Sequence, residues 1–137
     1  IGLLNIGSEE GKGNLTAKAT YKLLKELDNI NFIGNIEGGD CSDTEKVDVI
    51  VTDGFVGNIY LKHAESIYSI LKQRGINDPF FDNYNYENVG GTPALGVNGT
   101  VIIGHGKSNG KAIKNMILQT KAVAAAKLHE KIASIIK

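Results

Sequence analysis

The sequence holds one cysteine, two prolines and no tryptophan, and its charges cancel, with Lys plus Arg at 15 and Asp plus Glu at 15. Each scarcity excludes something. A lone Cys41 leaves no internal disulfide framework and no multi-cysteine zinc site. It suits a reducing compartment, so a cytoplasmic location is expected. The absence of a cationic excess argues against a nucleic-acid partner, which needs surplus Lys and Arg to neutralise phosphates. No apolar run approaches the ~20 residues of a membrane-spanning helix. The opening residues lack the basic, apolar and small-residue zones of a secretion signal. What is present is globular in composition, 42% apolar and 22% charged over 137 residues, enough for one domain.

Glycine is the exception. It occurs 17 times, well above the roughly 7% of ordinary chains, and it clusters between short apolar runs and helical stretches. Ile1 to Ile6 reads as a strand, followed by the loop Gly7 to Asn14. Because Ile1-Gly2-Leu3-Leu4 already has the character of a buried strand, the chain is expected to begin inside a larger protein. A helix follows with Leu15, Ala19, Leu23, Leu24 and Leu27 on one face and Asn14 as its N-cap. Phe32-Ile33 reads as a brief strand and Val47 to Val51 as a fully buried one. Thr52 to Asn58 reads as a glycine-flexed turn before a helix through Leu61, Ala64, Ile67, Ile70 and Leu71.

Arg74 to Pro79 breaks that helix, and Phe80, Phe81, Tyr84 and Tyr86 fall in an Asn/Asp-rich ordered loop or interaction segment. Asn98-Gly99 between two apolar runs predicts a hairpin, so an antiparallel pair is expected to join an otherwise parallel sheet. One long helix is expected to follow Gly110, with Ile113, Met116, Ile117, Ala124, Leu128, Ile132 and Ile135 on its apolar face. Strands alternating with helices indicate an α/β layered domain. Ligands in such folds bind beyond the carboxyl ends of the strands, where these Gly-rich loops converge.

Three loops carry candidate chemistry. In the first, Lys12 lies between Gly11 and Gly13 directly before a helix start, where free amides and a positive dipole favour an anion such as phosphate. The alternative is a turn that needs its glycines, with Lys12 solvated. In the second, Asp53 and Asn58 bracket a turn. An asparagine there can orient a carbonyl or stabilise an oxyanion, or both residues can serve as turn and N-cap residues. In the third, His105 follows a strand between two glycines, as a base, an anion donor or a backbone cap. Ser108, Asn109 and Lys111 stand beside it at a helix start. Neither Gly7 to Gly11 nor Gly106 to Gly110 completes the phosphate-loop pattern G-x-x-x-x-G-K-[ST], and no dinucleotide fingerprint is present. His63 and His129 have no matching ligand spacing and no metal site is expected. Cys41 has no histidine partner for nucleophilic work.

Taken together, the loops are more specific than each alone. Gly2-Leu3-Leu4-Asn5-Ile6-Gly7, Glu9-Glu10-Gly11-Lys12-Gly13-Asn14, Asn31 to Gly38, Thr52-Asp53-Gly54-Phe55-Val56-Gly57-Asn58 and His105-Gly106 with Ser108 resemble the PlsX family in order and spacing over almost the whole chain. That family consists of bacterial phosphate acyltransferases of phospholipid synthesis. The resemblance implies a reaction of acyl-acyl-carrier-protein with inorganic phosphate, giving acyl phosphate and free carrier protein. A membrane glycerol-3-phosphate acyltransferase would consume the product. It also implies a homodimer with peripheral membrane contact and a three-layer α/β/α fold with a mostly parallel, mixed sheet. That fold is shared with phosphotransacetylases and the isocitrate and isopropylmalate dehydrogenases. Residues 1–137 would then form the C-terminal part of a single acyltransferase domain.

By the same resemblance Lys12 and Asn58 are the catalytic residues, Lys12 holding phosphate or developing charge and Asn58 orienting the thioester carbonyl. Gly11, Gly13, Asn14, Asp53, Gly57, His105 and Ser108 line the substrate and phosphate pocket, with no cofactor. The stretch between Leu71 and Gly90 is about twenty residues shorter than in family members, which such connections tolerate. In the family this region reaches towards the membrane. Two other readings are an acyl-phosphate enzyme of the same fold using acetyl- or butyryl-coenzyme A, and a non-catalytic binding module. A dehydrogenase would need acidic metal ligands and a dinucleotide fingerprint that the sequence lacks.

Overall fold

Gly2–Leu4 forms the first strand, β1, and it runs between two parallel neighbours, β2 (Asn35–Ile36) and β3 (Ile50–Val51). Leu3 pairs with Asn35 on one side and Val51 on the other. This central position leaves Leu3 only 3% exposed, and Ile36 beside it is fully buried. Parallel neighbours need a crossover, which α1 (Leu15–Lys25) supplies between β1 and β2. Asn14 caps α1 as the sequence predicts, its side-chain oxygen accepting the Ala17 amide at 2.8 Å. This computed structural model describes residues 1–135, and the chain divides into two compact units, Ile1–Tyr60 and Leu61–Lys137.

Several expectations shift within the first unit. The strand expected at Phe32-Ile33 lies at Asn35–Ile36. Gly34, at φ +94°, redirects the chain before regular pairing begins, and Phe32 packs edge-on against Tyr21 at 5.3 Å. The strand expected over 47–51 is reduced to Ile50–Val51. Asp43 causes the loss: its side chain accepts the Glu45 and Lys46 amides and its carbonyl accepts that of Val47, drawing the segment into a turn. The expected apolar face of α1 is not a buried one, since Leu15, Leu23 and Leu27 are all exposed. A 3₁₀ turn, Gly38–Ser42, contains the half-buried Cys41, and Lys46 closes it through a 2.6 Å ion pair with Asp40.

The helix α2 (Gly54–Gln73) begins earlier than expected, so Gly54 to Asn58 is helical rather than a loop. It stops where the sequence predicts a break, with Gly75 at φ +74°. In the second unit, the aromatic stretch forms a 3₁₀ turn, Pro79–Tyr84, started by Asp78, and then a short helix α3 (Tyr86–Val89). Phe80, Phe81 and Tyr84 pack on one another with ring centroids 5.3 to 6.3 Å apart.

An antiparallel pair is present, but as a separate two-stranded sheet of β4 (Gly91–Pro93) and β5 (Ile102–Gly104). Its connection is not the two-residue Asn98-Gly99 turn: Gly99 keeps a negative φ, and Gly96 is the left-handed residue. The helix α4 (Gly110–Ala125) packs on α3 and on both strands, burying Ala112 completely. The long final helix of the sequence reading is two. Lys127 adopts φ +51° after Ala126 closes α4, and α5 (Leu128–Ile135) restarts beyond it. The break lets Leu128 and Ile132 face the connection Pro93–Val101 across a groove of about 230 Å³. Parallel sheet, crossover helix and flanking helices make this an α/β fold, as a three-layer α/β/α arrangement requires.

Candidate functional site

The loop carrying Lys12 is shaped by two neutral amides at the ends of adjacent strands. Asn5, just past β1, donates from its side-chain nitrogen to the Lys12 carbonyl at 3.1 Å and to Asn35 Oδ1 at 3.0 Å. Asn35, only 7% exposed, donates to the Glu9 carbonyl at 2.8 Å. Asn5 Oδ1 also accepts the Ile6 amide. Two backbone carbonyls of the loop are thereby tied to the sheet. Gly13 sits against this network at φ +90°, and a Cβ there would lie 2.4 Å from Asn5 Oδ1. Gly11 and Asn14 complete the same loop.

This scaffold leaves the Lys12 side chain exposed. Its nearest charged partner is Glu9, with Oε1 3.7 Å from Nζ, an ion pair beyond hydrogen-bond length. Glu10, the other acid of the loop, is engaged elsewhere: Lys25 donates to it at 3.0 Å, and that hydrogen bond and attraction raise the lysine's pKa. Lys12 keeps donor capacity for an incoming anion. The backbone contributes less than the sequence suggests, because Ala17's amide goes to Asn14 and Lys12's own amide to the Glu9 carbonyl.

Asp53 is the N-cap of α2. Its Oδ1 accepts the Phe55 and Val56 amides, both at 2.9 Å, and its carbonyl accepts that of Gly57. A carboxylate therefore already occupies the positive end of this helix, which leaves no vacant anion cradle there. Asn58 is not a capping residue. It stands exposed in the second turn of α2, its amide free to meet a polar ligand. Among the described residues no hydrogen bond or ion pair links Lys12 to Asp53 or Asn58.

In the second unit, His105 follows β5 and stacks on Tyr86 with ring centroids 4.6 Å apart and planes at 25°. Its Nδ1 accepts the Lys107 amide at 3.1 Å, and its Nε2 lies 2.7 Å from Lys62 Nζ. Glu65 accepts from Lys62 at 2.7 Å. Ser108 folds the loop back on itself: its hydroxyl donates to the His105 carbonyl at 2.6 Å and its amide does so at 2.9 Å. Asn109 caps α4 and donates to Glu87 at 2.7 Å. Lys62 and Glu65 were not singled out from sequence, because they lie on a helix beyond the Gly-rich loops, and Tyr86 was read only as part of the aromatic segment after Pro79.

A family profile described as "Fatty acid synthesis protein" matches residues 1–131. The chain belongs to the fatty acid synthesis protein family. This is the PlsX resemblance carried by the loop motifs. Relatives in the fatty acid synthesis protein family include a "Phosphate acyltransferase" of Clostridium botulinum, 45% identical over 88% of this chain and 42% of its own length. Another of the same name, from Dictyoglomus thermophilum, is 44% identical over 96% of this chain and 45% of its own. A third, from Salinibacter ruber, is 39% identical over 90% and 42%. The chain spans less than half the length of these curated relatives. The Dictyoglomus alignment covers 151 positions against 137 residues, so that relative carries residues this chain lacks.

Proposed function

We propose that this chain is the C-terminal part of a phosphate acyltransferase domain that makes acyl phosphate from acyl-acyl-carrier-protein and inorganic phosphate for phospholipid synthesis. The observation that carries the reading is the exposed Lys12, held on a loop that two buried or half-buried asparagines tie to the sheet. The names of the relatives supply the reaction class, and the loop supplies a cation suited to phosphate.

In this reading a phosphate oxygen attacks the thioester carbonyl carbon. The carbon–sulfur bond breaks, and the carrier's thiolate leaves and takes up a proton. Phosphate is already an anionic nucleophile at neutral pH, so no covalent enzyme intermediate is required. Catalysis then consists of placement and charge stabilisation. Lys12 holds phosphate or the charge that develops, and Asn58 orients the carbonyl from α2. Gly11, Gly13 and Asn14 give the loop its shape, and Asp53 with Gly57 set the start of the helix that carries Asn58. His105 and Ser108 belong to the pocket.

The working protein is a cytoplasmic homodimer that touches the membrane peripherally and passes its product to a membrane glycerol-3-phosphate acyltransferase. No described helix is long and apolar enough to cross a membrane, which fits peripheral contact. The deciding experiment incubates the longest natural chain containing this segment with long-chain acyl carrier protein and phosphate, trapping acyl phosphate with hydroxylamine. Hydroxamate that requires both substrates is the expected result. Product formed only with acyl-coenzyme A would transfer the reading to a coenzyme-A-dependent phosphotransacylase, and no product from folded protein would reject it.

A further inference from the structure

A hydrogen-bond conflict marks a second position in the His105 loop. The ring's Nδ1 receives the Lys107 amide, which places the imidazole proton on Nε2. That N–H then points at Lys62 Nζ, 2.7 Å away, and an ammonium has no lone pair to accept it. Moving the proton to Nδ1 only relocates the clash to the Lys107 amide, and protonating both nitrogens produces it twice. With Lys62 charged, no state of His105 satisfies both contacts. An acceptor shared by Lys62 and His105 would satisfy both donors. Glu65 supplies half of one: its Oε2 is 2.7 Å from Lys62 Nζ but 3.9 Å from His105 Nε2, too far for a hydrogen bond.

These three side chains line a cavity of about 630 Å³ together with Tyr86, Ser69 and Lys107. Tyr86 fixes the plane of the imidazole by stacking on it, so the direction of Nε2 is set before any ligand arrives. The volume accommodates a tetrahedral oxyanion with its hydration or an attached group.

We propose that Lys62 and His105 form an oxyanion site of the phosphate class, with Glu65 as a built-in competitor for Lys62. One ligand oxygen accepts from Lys62 Nζ and a neighbouring one from His105 Nε2–H, which removes the donor-against-donor contact. Glu65 gives up part of its hold on Lys62 when the anion enters. The inference extends the reading of His105 as a pocket residue by adding Lys62 and Glu65 to it. It concerns binding alone, so it stands or falls separately from acyl transfer.

The test is an NMR titration of the longest natural chain containing this segment with inorganic phosphate at constant ionic strength, following the His105 ring resonances. Chloride serves as the control for charge screening, and dimethyl phosphate stands in for a phosphate ester. The expected result is a saturable shift of His105 with either phosphate compound and none with chloride. The tighter of the two identifies free phosphate or an esterified headgroup as the natural ligand. Lys62→Met, conservative in length and exposed on α2, should weaken the response at least about tenfold, the loss of one charge-assisted contact. Glu65→Gln should strengthen it several-fold by removing the competitor. His105 resonances that ignore phosphate, or respond equally in folded Lys62→Met protein, would overturn the site. So would weaker binding in Glu65→Gln.

Discussion

The side-chain amide of Asn5 donates to the side-chain oxygen of Asn35 at 3.0 Å, joining the ends of two adjacent parallel strands beneath the loop that carries Lys12. Each partner then reaches into that loop, Asn5 to the Lys12 carbonyl and Asn35 to that of Glu9. Asn35→Ala removes two hydrogen bonds, leaving one Asn5 side-chain N–H without its acceptor and the Glu9 carbonyl with the Lys12 amide alone. The expected cost is about 1–3 kcal/mol of stability, read from denaturant unfolding. Faster amide exchange in residues 9 to 13 than in α1 should accompany it. Uniform exchange across the unit would show that the pair does not hold the loop.

Gly13→Ala tests the same loop from the other side. The residue is at φ +90°, and the added methyl carbon would lie 2.4 Å from Asn5 Oδ1. Backbone strain alone amounts to roughly 1–3 kcal/mol, and the asparagine network must also shift. A lower Tm together with weaker phosphate binding is expected. A variant as stable as the parent would mean the loop has another conformation available.

In the second unit Gly90→Ala should be at least as damaging. Its φ is +87°, and a Cβ would lie 2.5 Å from the backbone nitrogen of Met116, an atom that cannot swing away. Separating α3 from α4 strips contacts from the fully buried Ala112 region, and a loss above about 2 kcal/mol is expected. Thermal unfolding of the two proteins side by side checks it.

Lys12→Ala and Asn58→Ala should each reduce turnover at least about tenfold in the longest natural chain, the scale of a lost charge or oxyanion contact. Both side chains are exposed, so circular dichroism should be unchanged. Wild-type turnover in the folded double variant would sink the assignment of roles.

Asp40 provides a pH dependence with a definite sign. The hydrogen bond from Lys46, followed by that from the Glu37 amide, holds its pKa below the ordinary 3.8. A carboxylate depressed in the folded state favours folding above its unfolded pKa. That contribution disappears as the pH falls through the lower, folded value. The 3₁₀ turn should therefore loosen below about pH 4. The Asp40 carboxyl carbon, followed by NMR, should titrate at a lower pH in the parent than in Lys46→Met, and coincident curves would refute the coupling.

Much of the local backbone around the candidate site was legible because glycine and asparagine placement reports local backbone need. The Gly7 to Asn14 loop, the Asn14 cap, the break after Gln73 and the loop after β5 all follow from that signal. The misplacements have a common origin in side chains that compete with local pattern. Asp53 does serve as the cap that was one of its readings, but its carboxylate satisfies two amides so early that the helix starts at Gly54, inside the expected turn. Asn98-Gly99 is a strong hairpin signal, but pairing of Gly91 with Gly104 places the ladder farther out. The expected faces of α1 and α4 include leucines and isoleucines that stay exposed within this chain, because periodicity identifies an apolar stripe but not its partner. Asn5 and Asn35 lay inside quoted motifs without an assigned role, since their task depends on β1 and β2 being neighbours. Lys62 and Glu65 gave no sequence signal, as a Lys and a Glu three residues apart on a helix are common on solvated faces.

The scaffold beneath Lys12 is built from uncharged amides, and ionic strength acts differently on amides and on ions. Surface ion pairs weaken as salt shortens the Debye length to about 3 Å at 1 M, whereas amide–carbonyl bonds scarcely respond. Concentrated salt should therefore leave the loop's shape intact while it weakens the pull of Lys12 on an anion. The salt dependence of phosphate binding at this loop would then report the charge of a single side chain, undistorted by loosening of its support.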